Sequence, residues 1–180
     1  MTSHITRYDL MPIPAVPAHT EIFEAGAIAI GVEYRLLNDA IAAANAPVPA
    51  AGADRADAGS FDDRGVSLHV YGAVGGERVE CLRFDCFAED PHYHYVCWRT
   101  RSNEMLHIDP VVDGDPLAWA LERIRTRLPQ MLERAGASEL AAAVDPRLLE
   151  SALPRVVEAA YRLRYHHDDA AVLRGALGRS

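Results

Sequence analysis

Four closely spaced strand-like runs between residues 66 and 111 limit most strongly what this chain can fold into. They are VSLHVYGAV (66–74), ERVECLRFDCF (77–87), HYHYVCWRT (92–100) and EMLHIDPV (104–111). Gly-Gly and short Asp-, Pro- or Asn-containing connections join antiparallel neighbours, whereas parallel strands need a crossover of about a dozen residues or more. The runs therefore predict an antiparallel meander.

Hydrophobic periodicity predicts further elements on both sides of this meander. Upstream, apolar residues alternate within 21–37, which indicates one strand, with the option of a short separate strand at 21–24. Downstream, apolar residues from Leu117 to Ala135 are spaced three and four apart, which is the helical period. Further helices are predicted at 138–144 and 146–165. We expect an α+β fold with about five strands and two or three C-terminal helices packed on one face.

Asp-Pro pairs mark where the two long helices begin. Asp115 is expected to cap the first helix with Pro116 at its first position, and Asp145-Pro146 repeats the signal. Gly136 should end the first helix, and Pro129 within it should produce a kink. Pro154 indicates either a kink or a new helix start in the second.

The chain length of 180 residues is typical of one domain, which we assign to residues 21–165. Residues 1–20 contain three prolines and are expected to form an extended N-terminal arm along the surface. Residues 42–60 are rich in Ala, Pro, Gly and Asp, which predicts either a mobile loop or a lid that orders over a ligand. Residues 166–180 are expected to form a tail or a frayed helix.

Charge and composition argue against several function classes. A net charge of −8 disfavours nucleic acid and anionic membrane surfaces as partners. The chain has no lysine, which excludes a PLP Schiff base and a P-loop nucleotide site. No apolar stretch reaches the ~18 residues of a membrane span, and three cysteines form no even disulfide framework. We expect a cytoplasmic protein.

Turn positions predict which residues share a face of the meander, because side chains alternate along each strand. The predicted pairs are Val70 with Cys81, Phe87 with His92, Asp85 with His94, Trp98 with His107, and Val96 with Asp109. One face then carries His69, Tyr71, Leu82, Phe84, Cys86, Tyr93, Tyr95, Cys97, Leu106 and Ile108, and should pack against the helices. The other carries Leu68, Val70, Cys81, Arg83, Asp85, Phe87, His92, His94, Val96, Trp98, His107 and Asp109.

The histidine-bearing face is the candidate functional site. His92, His94, His107 and Asp109 are candidate ligands for non-haem Fe(II) or Zn(II), which imidazole and carboxylate donors suit. Without a metal, Asp85 or Asp109 would orient His94 for general acid–base catalysis, which makes these three the catalytic candidates. The alternative is an ordinary solvated sheet face, on which cross-strand Asp–His pairs are common.

Substrate contacts are predicted for three residues of the same face. Arg83 is a candidate for gripping an anionic group, or it simply neutralises Asp85. Phe87 and Trp98 either stack on an aromatic ligand or pack as strand aromatics usually do.

Two hypotheses for function follow. The first is a metal-assisted or His/Asp acid–base enzyme, or a binding protein, for a small polar or aromatic molecule. The second is a non-catalytic accessory subunit of an enzyme, or a homo-oligomeric interaction protein.

Overall fold

A seven-stranded antiparallel sheet dominates the computed structural model, which describes residues 5–45 and 62–177. The strands are β1 (Ile5–Tyr8), β2 (Glu21–Ala25), β3 (Ile28–Asn38), β4 (Asp62–Val74), β5 (Glu77–Phe87), β6 (His92–Cys97) and β7 (Ser102–His107). The described α-helices are α1 (Asp39–Ala44), α2 (Pro110–Asp113), α3 (Pro116–Arg134), α4 (Ser138–Ala143), α5 (Pro146–Tyr165) and α6 (Asp169–Leu177), and Pro17–His19 forms one turn of 3-10 helix.

The strands lie in the order β1-β7-β6-β5-β4-β3-β2, so that β2 to β7 form the predicted meander. The expectation of about five strands is too low. Within 21–37 the chain forms two strands, as the option of a separate strand at 21–24 allowed, because it reverses at Gly26, where φ is +74°. β1 lies within the expected arm and pairs with β7, with Ile5 opposite Leu106.

Helices α3 and α5 cover one face of the sheet. α3 contacts β5 and β6, while α5 contacts β2, β3 and β4, and α4 packs on α3. Asp115 and Asp145 cap their helices as predicted, by accepting backbone hydrogen bonds, and both helices continue through their internal prolines. The two short helices α1 and α2 were not expected. No helix among the described residues is long and apolar enough to cross a membrane.

Helix is present in part of the expected loop and in the C-terminal region, for which a tail or a frayed helix was expected. Residues 42–44 close α1, whereas residues 46–60 of the expected loop lie outside the described residues. The C-terminal region forms α6, which contacts β3 and α1.

The hydrophobic core lies between the sheet and these helices. On the strand side it contains Val66, Leu68 and Val70, and on the helix side Ile124 and Leu128, all at most 2% exposed. Burying the apolar stripes of α3 and α5 against this sheet face stabilises the fold.

A β-bulge corrects the predicted faces of β4. The predicted pair of Val70 with Cys81 is wrong, although Tyr71, one residue closer to the Gly75-Gly76 turn, lies opposite Glu80 as a two-residue turn requires. Cys81 is then the extra residue, since Val70 pairs with Leu82, and the register shifts by one. As a result Leu68, Val70 and Cys81 belong to the core. His69 and Tyr71 belong to the opposite face, where the two rings stack with centroids 5.8 Å apart.

This opposite face, the polar face, is covered by residues 9–20, which we call the crossing segment. The segment connects β1 at one edge of the sheet with β2 at the other. Seven strands about 4.8 Å apart span roughly 29 Å, and the segment reaches about 40 Å when extended. Its backbone meets the face directly, because the Leu10 and Ile13 carbonyls accept hydrogen bonds from buried side chains. The crossing segment, which is part of the predicted N-terminal arm, therefore lies on the protein surface and covers the charged side chains of the polar face.

Candidate metal centre

Three side chains converge beneath this cover. Nε2 of His92 and Nε2 of His94 each lie 3.4 Å from Oδ2 of Asp85. One ligand atom from each residue lies within 4.8 Å of the other two. All three residues are at most 8% exposed. We call them the His–Asp–His cluster.

Pairing between β5 and β6 brings the cluster together. Asp85 is directly opposite His92, and the neighbouring pair on the same face is Arg83 opposite His94. Side chains two apart on a strand share a face, so one carboxylate faces both imidazoles. The predicted partner of Asp85 was His94, which lies two residues further along β6. A displacement of two residues keeps both histidines on the predicted face of the sheet.

The backbone fixes the tautomer of His92. Its Nδ1 lies 2.7 Å from the carbonyl oxygen of Asp90, which can only accept a hydrogen bond. Nδ1 therefore carries the hydrogen. In the neutral ring, Nε2 then presents a lone pair to Asp85.

Asn103 fixes the tautomer of His94 in the same way. The amide nitrogen of Asn103 donates to the Leu10 carbonyl at 2.7 Å, which leaves its Oδ1 facing His94 Nδ1 at 2.9 Å. An amide oxygen only accepts, so Nδ1 of His94 is the donor. Its Nε2 lone pair is also directed at Asp85.

Three lone-pair donors thus point at one another, which is unfavourable unless a cation lies among them. At 3.4 Å the nitrogen–oxygen separations are longer than good hydrogen bonds. They match the edge of a tetrahedron about a metal ion bound at about 2.0–2.2 Å, which is roughly 3.4 Å. A proton satisfies only one of the two contacts, whereas a divalent metal ion satisfies both.

Asp85 is held in place from its other oxygen. Ser67, fully buried, donates a short hydrogen bond to Oδ1, and Arg35 Nη1 lies 3.9 Å from the same atom. Burial alone would raise the pKa of Asp85, but His92, His94 and the two arginines Arg83 and Arg35 hold it well below its usual range. Asp85 is therefore an anion whose Oδ2 is free for the two histidines.

The carboxylate also acts back on His92. Burial alone would lower the pKa of His92, but the charge and hydrogen-bonding of Asp85, helped by the Asp90 carbonyl, raise it. The cluster therefore attracts positive charge, either as a proton on His92 or as a metal ion.

A buried ion-pair network adjoins the cluster on the polar face. Arg83 makes a two-pronged contact with Glu80, at 2.9 and 2.7 Å, and Glu80 also bonds His69 Nδ1 at 2.6 Å. Arg35 pairs with Glu33 at 3.1 Å. The three carboxylates of Glu33, Glu80 and Asp85 outnumber the two guanidiniums, so this set has a formal excess of negative charge.

A second carboxylate shapes the turn before His92. Asp63, 2% exposed, accepts hydrogen bonds from the backbone nitrogens of Arg64, Ala88, Glu89 and Asp90 at 2.8–3.1 Å. It thereby anchors the β5–β6 turn. The same turn supplies the Asp90 carbonyl that orients His92.

The structure separates two of the predicted ligands from the cluster. His107 pairs with His92, but their ring centroids are 6.4 Å apart and Nδ1 of His107 contacts Asp90 at 2.7 Å. Asp109 lies outside the sheet, where its side chain caps α2 by accepting from the Val111 nitrogen. The predicted convergence of Asp109 with Asp85 and His94 is therefore corrected, because the chain leaves β7 at His107.

The predicted substrate residues also take different positions. Arg83 is 2% exposed and committed to Glu80 and the Ile13 carbonyl. Trp98 follows β6, lies beneath Arg99 and lines a separate surface cavity of about 330 Å³. Phe87 is buried and packs its ring edge-to-face with His92, at a centroid distance of 5.7 Å.

Sequence reasoning missed Ser67, Asn103 and Asp63. The run from Val66 to Val70 alternates apolar and polar residues, which places Ser67 opposite the core and was a usable signal. Nothing local distinguishes Asn103 or Asp63, whose roles depend on contacts with distant segments.

The fold and cluster together define an α+β protein whose antiparallel sheet bears a buried His–Asp–His arrangement under an N-terminal cover. Within that class the chain belongs to the family described as a domain of unknown function, DUF7700, whose family model matches residues 22–160. No curated protein and no solved structure matches the chain. The matched residues include the whole cluster, whereas the whole crossing segment precedes them.

Proposed function

We propose that this protein binds a divalent transition-metal ion, Zn(II) or Fe(II), through Asp85, His92 and His94. The observation that carries the proposal is the convergence of three lone-pair donors. The tautomers of the two histidines are fixed by hydrogen bonds from Nδ1, on the side of each ring away from Asp85. In metal sites, the ring nitrogen of a histidine that does not bind the metal commonly donates a hydrogen bond to an oxygen acceptor. Both histidines do so here, to a backbone carbonyl and to an amide oxygen.

The donor set also limits the chemistry. Two neutral imidazoles and one carboxylate suit borderline metals such as Zn(II) and Fe(II) and leave coordination positions for water or a small molecule. A bound ion would act as a Lewis acid toward that molecule. We therefore favour a metal-dependent enzyme or binding protein for a small polar molecule.

A metal-free role for the same residues is the second candidate. The raised pKa of His92 beside the anionic Asp85 favours an imidazolium–carboxylate pair, which suits proton transfer. Proton transfer requires a proton at the position where the first proposal places a metal ion. Analysis of the metal content therefore distinguishes the two proposals.

Elemental analysis of protein purified without chelator, followed by titration of chelator-treated protein with Zn(II) and Co(II), tests the proposal. We expect one ion per chain and an intense tetrahedral Co(II) absorption spectrum. His94→Ala and Asp85→Asn should abolish binding. His107→Ala, on the same face but outside the cluster, is the matched control and should bind as the wild type does.

Absence of binding to the wild-type protein, or equal loss in His107→Ala, would contradict the metal proposal. Metal-free protein whose His92 titrates with Asp85 in an NMR pH series would support the proton-transfer role.

A further inference from the structure

The crossing segment touches the candidate metal centre through its outer hydrogen bonds. Asn103 uses one amide group for both contacts: its nitrogen binds the Leu10 carbonyl at 2.7 Å and its oxygen accepts from His94 at 2.9 Å. Asn103 is 4% exposed. The orientation of one side chain therefore depends on both the segment and the histidine.

A second connection runs through the arginines. The Ile13 carbonyl accepts from Arg83 Nη1 at 2.7 Å and from Arg35 Nη2 at 3.1 Å. Arg35 in turn lies 3.9 Å from Oδ1 of Asp85. Lifting the segment would leave both buried guanidiniums short of an acceptor and alter the charge around Asp85.

The C-terminal end of the segment is held by Glu33. The Val16 nitrogen and the Thr20 hydroxyl both donate to Oε2 of Glu33, at 2.9 and 2.6 Å. This attachment does not involve the cluster. We therefore expect it to hold this end of the segment with or without a metal.

We propose that metal binding and docking of the crossing segment are coupled through Asn103, so that the metal ion closes the segment over the polar face. This inference rests on the proposed metal function. A docked Leu10 carbonyl selects the Asn103 orientation that makes His94 Nε2 a ligand, and a metal on Nε2 selects the same orientation. Coupling between two binding events is reciprocal, so each strengthens the other.

Hydrogen–deuterium exchange of the full-length protein with and without Zn(II) tests the coupling. We expect a peptide covering residues 9–15, which excludes the Val16 amide held by Glu33, to exchange about 10-fold more slowly in the metal-bound protein, which is within the usual range of coupling between sites. The comparison uses the wild-type chain, so it gives an answer even where a variant fails to fold.

Two substitutions of Asn103 separate its two hydrogen bonds. Asn103→Asp keeps an acceptor for His94 and loses the donor to Leu10, so metal affinity should stay at or above the wild-type value while the segment exchanges rapidly in both states. Asn103→Ala loses both bonds and should weaken metal binding about 10- to 100-fold. Asn38→Asp, which keeps its helix-capping oxygen, is the control for an added charge.

The possible failures are distinct. If the wild-type protein binds Zn(II) and exchange of residues 9–15 is unchanged, the coupling is wrong and the metal proposal stands. Metal-dependent protection that persists in Asn103→Asp also contradicts the coupling through Asn103. If no metal binds, the proposed function fails, and the inference fails with it.

Discussion

Ser67 donates its hydroxyl to one oxygen of Asp85 and leaves the other oxygen to His92 and His94. This division of the carboxylate keeps the negative charge aimed between the two imidazoles. It also makes Asp85 a single-oxygen ligand in the proposed site.

Replacing Ser67 by alanine should therefore weaken metal binding without removing a ligand. We expect a loss of about 10-fold in Zn(II) affinity, the lower end for residues that orient ligands. The metal-free protein should lose about 1–3 kcal/mol of unfolding free energy, because a buried acceptor loses its donor. Competition against a chromophoric chelator and urea denaturation measure the two effects. Ser102→Ala, whose hydroxyl bonds Thr100, is the matched control, and an equal effect there would refute the argument.

Asp63 should matter for the same site from a greater distance. Asp63→Asn replaces an acceptor oxygen with an amide that faces backbone N–H groups, so the β5–β6 turn should loosen. We expect a loss of about 1–3 kcal/mol in unfolding free energy and faster amide exchange at residues 88–90. Asp62→Asn changes an exposed neighbour and should have little effect. If residues 88–90 of Asp63→Asn exchange their amide hydrogens at the wild-type rate, Asp63 does not anchor this turn.

The largely buried carboxylate of Glu80 predicts how stability depends on pH. Burial alone would raise the pKa of Glu80, but Arg83 and His69 outweigh it and hold the pKa below its usual range. A carboxyl group with a lowered folded-state pKa stabilises the fold above its unfolded pKa, and this stabilisation is lost as pH falls. Unfolding free energy, measured in urea with chelator present, should therefore decrease from about pH 5 downward.

Glu80→Gln should make that decrease shallower, since one proton-linked group is removed. It should also cost about 3 kcal/mol at pH 7, because Arg83 remains buried without its partner. Asp85 has a lowered pKa as well, so some pH dependence should remain. Glu77→Gln removes an exposed carboxylate from the same strand and is the control. A slope in Glu80→Gln equal to that of the wild type would contradict the assignment.

Gly65 marks a close approach between β4 and β5. A Cβ at this position would overlap the Cys86 carbonyl oxygen and lie 2.8 Å from the Phe87 Cα, both of which are backbone atoms. Gly65→Ala should therefore push the strands apart and destabilise the protein by about 1–3 kcal/mol. Thermal or urea denaturation checks this, and a change below about 0.5 kcal/mol would mean that the strands adjust freely.

The sheet faces could be predicted from sequence as far as the turns allowed. The two-residue Gly75-Gly76 turn sets the pairing as far as Tyr71 with Glu80, but the predicted pair of Val70 with Cys81 is wrong because of the bulge at Cys81. The predicted pairings with β6 were displaced by an even number of residues, so Asp85, His92 and His94 kept a common face. Turn positions alone do not reveal a β-bulge. The alternation of apolar and polar residues from Val66 to Val70, however, does indicate which side chains of β4 face the core.

Asp109 shows a different limit. Its spacing from His107 placed it in a predicted strand. However, Asp109-Pro110 is an Asp-Pro pair like Asp115-Pro116 and Asp145-Pro146, which were correctly predicted to begin helices. Local capping chemistry was the better guide there. The cover provided by the crossing segment depends on β1 pairing with a strand almost a hundred residues later, which no local pattern contains.

That long-range pairing has a consequence for the order of assembly. Residues 5–8 are synthesised before β7, but they have no strand to join until the meander is complete, and closing so large a loop is slow. We expect β1 to dock after the other six described strands. During that interval the charged side of the nascent sheet faces water, so an ion can enter before the chain closes over it.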